Sequence, residues 1–316
     1  EAARKRTGRR RMINEELTDR DRVELTKLSY EALNVGETVV VAGKKIGQLT
    51  RDVYAKDGMQ AFLIENNNEI TVLFKGSYGF KKGNATTWRD EWLNTNWPIF
   101  LAMLTNQRQV SSALVTASRY LNRWLEEFPD GHFYIYGHSL GAINAEYALA
   151  NCRFPDQIAA AYLYEGTNIW RLLTHKERQL VAQLRGRINT YVDIYDPVTL
   201  GYTASKRMVG KLHYVDSLPM NPVKQHMWGG YRFDGNGNLL EKEVDQRFLD
   251  SSKMQQAFLS RTGRMANYLR YRRNLQADWQ KESDQRAEQI REELFNHSFL
   301  QDFNDRDKNS KDGKEQ

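Results

Sequence analysis

A chain of 316 residues with 40% hydrophobic and 27% charged side chains can bury a large core and is too apolar for a disordered protein. No apolar run approaches the about 20 residues that a membrane-spanning helix needs, and a single cysteine, Cys152, excludes an intrachain disulfide and reads as a small core residue. The net charge of +6 suits an anionic partner, but no nucleic-acid-binding motif accompanies it.

Residues 1–20 read as a mobile leader that opens with the basic run Arg4-Lys5-Arg6-Thr7-Gly8-Arg9-Arg10-Arg11. A solvated tail is favoured for this run over a contact with anionic membrane. From 21 to 244, strand-like and helix-like segments alternate, the pattern of an α/β domain. Ala61-Phe62-Leu63-Ile64 and the apolar run from Glu69 to Lys75 flank Asn66-Asn67-Asn68, residues that tolerate left-handed backbone, so a hairpin is expected. Trp88, Trp92 and Trp97 then cluster, which suits either an ordinary core helix or the burial of an acyl chain at a lipid interface. Ser112 to Phe128 carries Leu114, Ala117, Leu121 and Trp124 on one helical side, and Pro129-Asp130-Gly131 ends it.

His132 to Tyr136 reads as a buried strand and Ala142 to Ala150 as a helix, with Gly137-His138-Ser139-Leu140-Gly141 between them. Strand, Gly-x-Ser-x-Gly, helix is a nucleophile elbow, a turn that holds its serine strained at a strand tip above a helix N-terminus. A Cβ at Gly137 or Gly141 would collide with the neighbouring helix and strand. Ile158 to Tyr164 and Ile188 to Tyr195 are further buried strands around a helix from Leu172 to Leu184. A helix before each strand, on a sheet buried on both faces, predicts a doubly wound, mostly parallel α/β sheet. From Val244 the strand signal stops. Residues 245–303 carry apolar residues near helical spacing and are expected to form an amphipathic helical appendage; residues 304–316 are polar and read as a disordered tail.

A serine hydroxyl needs a base to take its proton, and that base needs an acid to fix its tautomer. Downstream of Ser139, Asp193 and Asp196 lie at a strand end. Asp196, in the loop set by Pro197, is favoured as the acid; Asp193 is left to face a neighbour or solvent. Of the later histidines, His297 falls in the helical tail and His213 in a strand-like, structural setting, so His226 in the loop after Pro222 is favoured as the base. Asp234, Asn236 and Asn238 mimic a calcium loop, but Leu239 and Asp245 stand where glycine and glutamate are needed, so a hairpin turn is expected and no metal.

With these residues in place the chain resembles the fungal-type (class 3) lipases of the α/β-hydrolase superfamily and their bacterial relatives. The shared features are the Gly137–Gly141 elbow, the acid loop Asp196-Pro197-Val198, and Leu73-Phe74-Lys75-Gly76-Ser77 at the family's oxyanion loop, with Lys75 and Ser77 replacing the usual arginine and threonine. The stretch Tyr231 to Gly237 matches the family's histidine loop. The resemblance covers about 25–243. It implies that the amides of Ser77 and Leu140 hold the oxyanion, that Trp88 to Leu101 occupies the place of a lid, and that lipid or phospholipid acyl esters are the substrates, with no cofactor. A secreted bacterial protein, even a toxin whose C-terminal helices bind a protein partner, is the expectation for its setting. A thioesterase or small-ester esterase is the alternative enzyme, and a degenerate hydrolase acting as a binding module is the alternative outside enzymes.

Overall fold

The computed structural model describes residues 11–76, 112–196, 198–204, 206–221, 224–257 and 288–289. The chain divides into two units, Glu1–Gly263 and Arg264–Gln316, and the sheet with its flanking helices belongs to the first.

The centre of this unit is an eight-stranded sheet in the order β1 to β8. The strands are β1 (Thr38–Val41), β2 (Lys44–Tyr54), β3 (Gln60–Asn66), β4 (Glu69–Phe74), β5 (His132–His138), β6 (Ile158–Tyr164), β7 (Ile188–Val192) and β8 (Lys211–Tyr214). Pairings from β1 to β4 are antiparallel, and those from β4 to β8 are parallel. The expected hairpin joins β3 to β4: Asn66 pairs with Glu69, and Asn67 adopts the left-handed φ of 56° that the two-residue turn requires.

The helices are α1 (Asp19–Lys27), α2 (Ser112–Glu127), α3 (Leu140–Ala150) and α4 (His175–Leu184). The sheet's pleat sorts the core into two layers. Ile70, Val72 and Phe74 of β4 and Phe133 and Ile135 of β5 face Leu114, Leu121 and Trp124 of α2, Ile143 and Leu149 of α3, and Val181 and Leu184 of α4. Leu73, Tyr134 and Tyr136 point the other way, to Leu17, Leu25 and Ile46. This is a mixed sheet flanked by helices, consistent with an α/β-hydrolase fold.

Two expectations change. The strand order steps across the sheet from β1 to β8 without reversal, so among the described strands the winding is single rather than double. Crossovers of one hand, as parallel connections generally have, that all step the same way deliver their helices to one face, and α2, α3 and α4 share one core cluster. The opposite face is closed by the N-terminal segment instead. Of the leader expected over 1–20, residues 1–10 lie outside the described residues, but Ile13–Glu16 form a 3-10 turn and Asn14 and Leu17 are buried. Thr18 caps α1 in a reciprocal box with Asp21. At the other end, backbone over 246–257 is helical, and Phe248 packs edge-on to Tyr214 at 5.1 Å; residues beyond 257, apart from 288–289, lie outside the described set. No helix among the described residues is long and apolar enough to cross a membrane.

Candidate active site

β5 ends at His138 and α3 begins at Leu140, leaving Ser139 alone at the turn with φ 57° and ψ −125°. That left-handed value is costly for a residue with a Cβ and is held by its surroundings: the Ser139 amide donates to the Tyr164 carbonyl of β6 at 2.9 Å, and its own carbonyl accepts from Ala142 N at 3.0 Å. The glycines on either side have no room for a side chain. A Cβ on Gly137 would lie 2.5 Å from the Gly141 carbonyl oxygen, and one on Gly141 would lie 2.2 Å from that of Phe74 in β4. Leu140 opens α3, where the first amides have no helical acceptor and the helix dipole favours negative charge.

The structure brings Asp196 and His226 together. Asp196 follows β7, and its Oδ2 lies 2.8 Å from His226 Nδ1, with the carboxylate inaccessible to solvent and the imidazole nearly so. Asp196 Oδ1 accepts from Val198 N at 2.7 Å, which holds the carboxylate plane. A carboxylate only accepts, so Nδ1 is the donor in this bond and Nε2 is the ring nitrogen left to face away from Asp196. The loop bearing His226 lies against the elbow: the His226 ring centroid is 4.6 Å from that of His138, the residue before Ser139. The remaining histidine among the described candidates, His213, is in β8, between Glu241 and Asn189. His297, Ser77, Trp88, Trp92 and Trp97 lie outside the described residues.

Sequence reasoning left Asp193 without a task; the structure gives it one. Its buried carboxylate accepts from Ser217 Oγ at 2.6 Å and from Gln225 Nε2 at 2.5 Å, so it grips the histidine loop one residue before His226. Burial pushes the Asp193 carboxyl up, while these donors pull it back down. Glu165, just past β6, carries no motif that would single it out. It is fully buried at φ 51°, and accepts hydrogen bonds from Thr199 Oγ1 and from the Tyr231 hydroxyl on the far side of the same loop. Burial, and then the nearness of Asp196 and Asp193, push its carboxyl well above the usual range. The tips of β6 and β7 therefore hold the loop at three points. The only local sequence signal for this was a run of carboxylates just past strand ends.

Asp234, Asn236 and Asn238 form the expected turn: Asp234 Oδ1 accepts from the amides of Asn236 and Asn238, and Phe233 bridges Leu239. Among the described residues, no group of three or more His, Cys, Asp or Glu is placed to hold a metal ion.

No protein-family model matches the sequence, and no curated protein matches it. Among solved structures, a fungal lipase aligns over 73% of this chain and 87% of its own, with a TM-score of 0.43 and 15% identity. A triacylglycerol lipase from Penicillium expansum aligns over 75% and 87%, with a TM-score of 0.40 and 15% identity. Lip2 lipase from Yarrowia lipolytica aligns over 74% and 91%, with a TM-score of 0.32 and 14% identity. The comparisons give no support to a bacterial source.

Proposed function

We propose that the chain is a serine hydrolase that cleaves acyl esters of lipids through an acyl-enzyme. One observation supports the reading: a serine strained at a strand tip directly follows His138, whose ring lies 4.6 Å from that of His226, and His226 is hydrogen-bonded to the buried Asp196. In this reading Ser139 attacks the ester carbonyl, and His226 Nε2 takes its proton and later delivers it to the leaving alcohol. Asp196 keeps the other ring proton in place and stabilises the imidazolium. The Leu140 amide at the head of α3, with that of Ser77, receives the negative charge on the tetrahedral oxygen. Water then attacks the acyl-Ser139 ester, with His226 again as base. The lipid assignment rests on the motif resemblance, and the net positive charge inclines it to phospholipids over neutral glycerides.

The test is labelling with a fluorophosphonate and turnover of medium-chain p-nitrophenyl esters, each compared with Ser139→Ala. Labelling and turnover that disappear in the variant are expected; equal turnover by both proteins overturns the assignment. Product analysis on phospholipid and triglyceride emulsions then reads the substrate class, and activity confined to short soluble esters would favour an esterase.

A further inference from the structure

His226 is held by its backbone as well as by its ring. Its main-chain oxygen lies 2.7 Å from Nε2 of His138, and Nδ1 of His138 lies 2.5 Å from the hydroxyl of Tyr30, which follows α1. The protons in this chain of contacts have one consistent arrangement. A carbonyl oxygen only accepts, so His138 Nε2 carries a hydrogen. A neutral imidazole has a single N–H, so Nδ1 is an acceptor and the Tyr30 hydroxyl donates to it. Burial supports that arrangement: it pushes His138 well below the ordinary histidine range, with the neighbouring His226 adding to the effect, and it holds the Tyr30 phenol protonated. The rings around the pair leave it little freedom. His138 stacks on Trp228 at 3.8 Å, and Tyr30 meets Trp228 edge-on at 6.4 Å. Trp228 is itself left-handed at φ 60°, so the backbone two residues after His226 is bent against its preference.

We propose that the Tyr30–His138 pair positions the catalytic base: Tyr30 fixes the His138 tautomer, and His138 fixes the carbonyl, and hence the Cα, of His226. The proposal rests on the triad reading above. Asp196 alone fixes one ring nitrogen, about which the imidazole can still swing as the loop moves. A second anchor on the main chain sets where Nε2 stands relative to Ser139. The pair is a positioning device, since neither member contributes a reacting atom in the mechanism above. It also makes the N-terminal segment part of the active-site framework, because Tyr30 reaches the elbow from 108 residues away in sequence.

The experiment compares wild type with Tyr30→Phe, His138→Met and His138→Gln on a soluble p-nitrophenyl ester, with thermal unfolding measured for each. A displacement of 1 Å in a catalytic group costs about 100-fold, so His138→Met should lose about that factor in kcat, and Tyr30→Phe about 10-fold. KM should stay within about twofold, because the proposal gives neither side chain a contact with substrate. His138→Gln, whose amide nitrogen can still donate to the His226 carbonyl, should regain most of the loss. A wild-type kcat in Tyr30→Phe and His138→Met overturns the proposal, and so does a His138→Gln no better than His138→Met. If the His138 variants fail to fold, Tyr30→Phe decides alone, since it removes one oxygen from a ring that keeps its packing. Absence of fluorophosphonate labelling in the wild type would instead remove the triad reading on which the proposal stands.

Discussion

Glu146 sits on α3 with its carboxyl wholly buried, and one oxygen accepts from the Tyr202 hydroxyl at 3.2 Å. A buried anion without a cation is costly, so burial pushes this carboxyl up to about 8, against the smaller downward pull of the Tyr202 hydroxyl and the Ile169 backbone. Folded Glu146 therefore keeps its proton where the unfolded chain, at an ordinary 4.5, has lost it. Between those two values the native state binds the extra proton, so the contribution is fully present below about 4.5 and is lost as pH rises through about 8. The slope is up to about 1.4 kcal/mol per pH unit for one proton. Buried His138, held below the ordinary histidine range, adds a slope of opposite sign in both proteins, so the reading is the difference: from pH 5 to 8 the urea midpoint of the wild type should lose ground with rising pH relative to that of Glu146→Gln. Glu165, raised for the same reason, contributes a slope of the same sign that remains in the variant. Parallel slopes in the two proteins would show that Glu146 is ionised in the fold.

At the scale of elements, the site depends on how closely α3 approaches β4. Gly141 lets the helix backbone rest on the carbonyl of Phe74, with no room for a methyl group. In Gly141→Ala the clash is with the main chain of Phe74 and Lys75, so α3 has to move off β4 and take the Leu140 amide and Ser139 with it. Activity should fall by at least about 100-fold, with a lowered melting temperature. An active, equally stable Gly141→Ala would mean that the elbow is looser than its geometry. This contact was legible in the sequence because a strand, two spaced glycines and a helix are local chemistry. The Asn67 turn was legible for the same reason, as was the position of Asp196 past β7 and before a proline. The strand order was not, because pairing is decided by partners distant in sequence and leaves no periodicity behind. Asp193 and His138 escaped notice as anchors for a related reason: each makes its decisive bond to the loop after β8, and a polar residue in a strand or at its end gives no sign of which distant backbone it will meet.

Over the whole unit, the two faces of the sheet are closed by different means. Crossover helices cover one, and the N-terminal segment covers the other, over Leu73, Tyr134 and Tyr136. This segment has no legible role in the sequence because its apolar residues, Leu17, Val23 and Leu25, are dispersed among charges, and its strongest attachment is polar. Asn14 is fully buried: its amide nitrogen donates to Glu69 Oε1 at 2.7 Å and to Thr71 Oγ1 at 2.9 Å, and its oxygen accepts from the Tyr136 hydroxyl at 2.7 Å. The backbone amides of Ile13 and Asn14 complete the shell of the Glu69 carboxylate. Asn14→Ala would leave a buried hydroxyl on Tyr136, another on Thr71 and a less solvated carboxylate, at about 1–3 kcal/mol for each unsatisfied group before relaxation. The expected result is a loss of about 2–4 kcal/mol in urea unfolding, with proteolysis of the N-terminal segment made faster. Because Tyr30 lies on the same segment, a loosened anchor at Asn14 should also lower kcat under conditions where the protein stays folded. Stability lost without any change in kcat would show that the segment covers the sheet without steadying the site, and that the Tyr30 contact survives when its neighbour 16 residues earlier lets go.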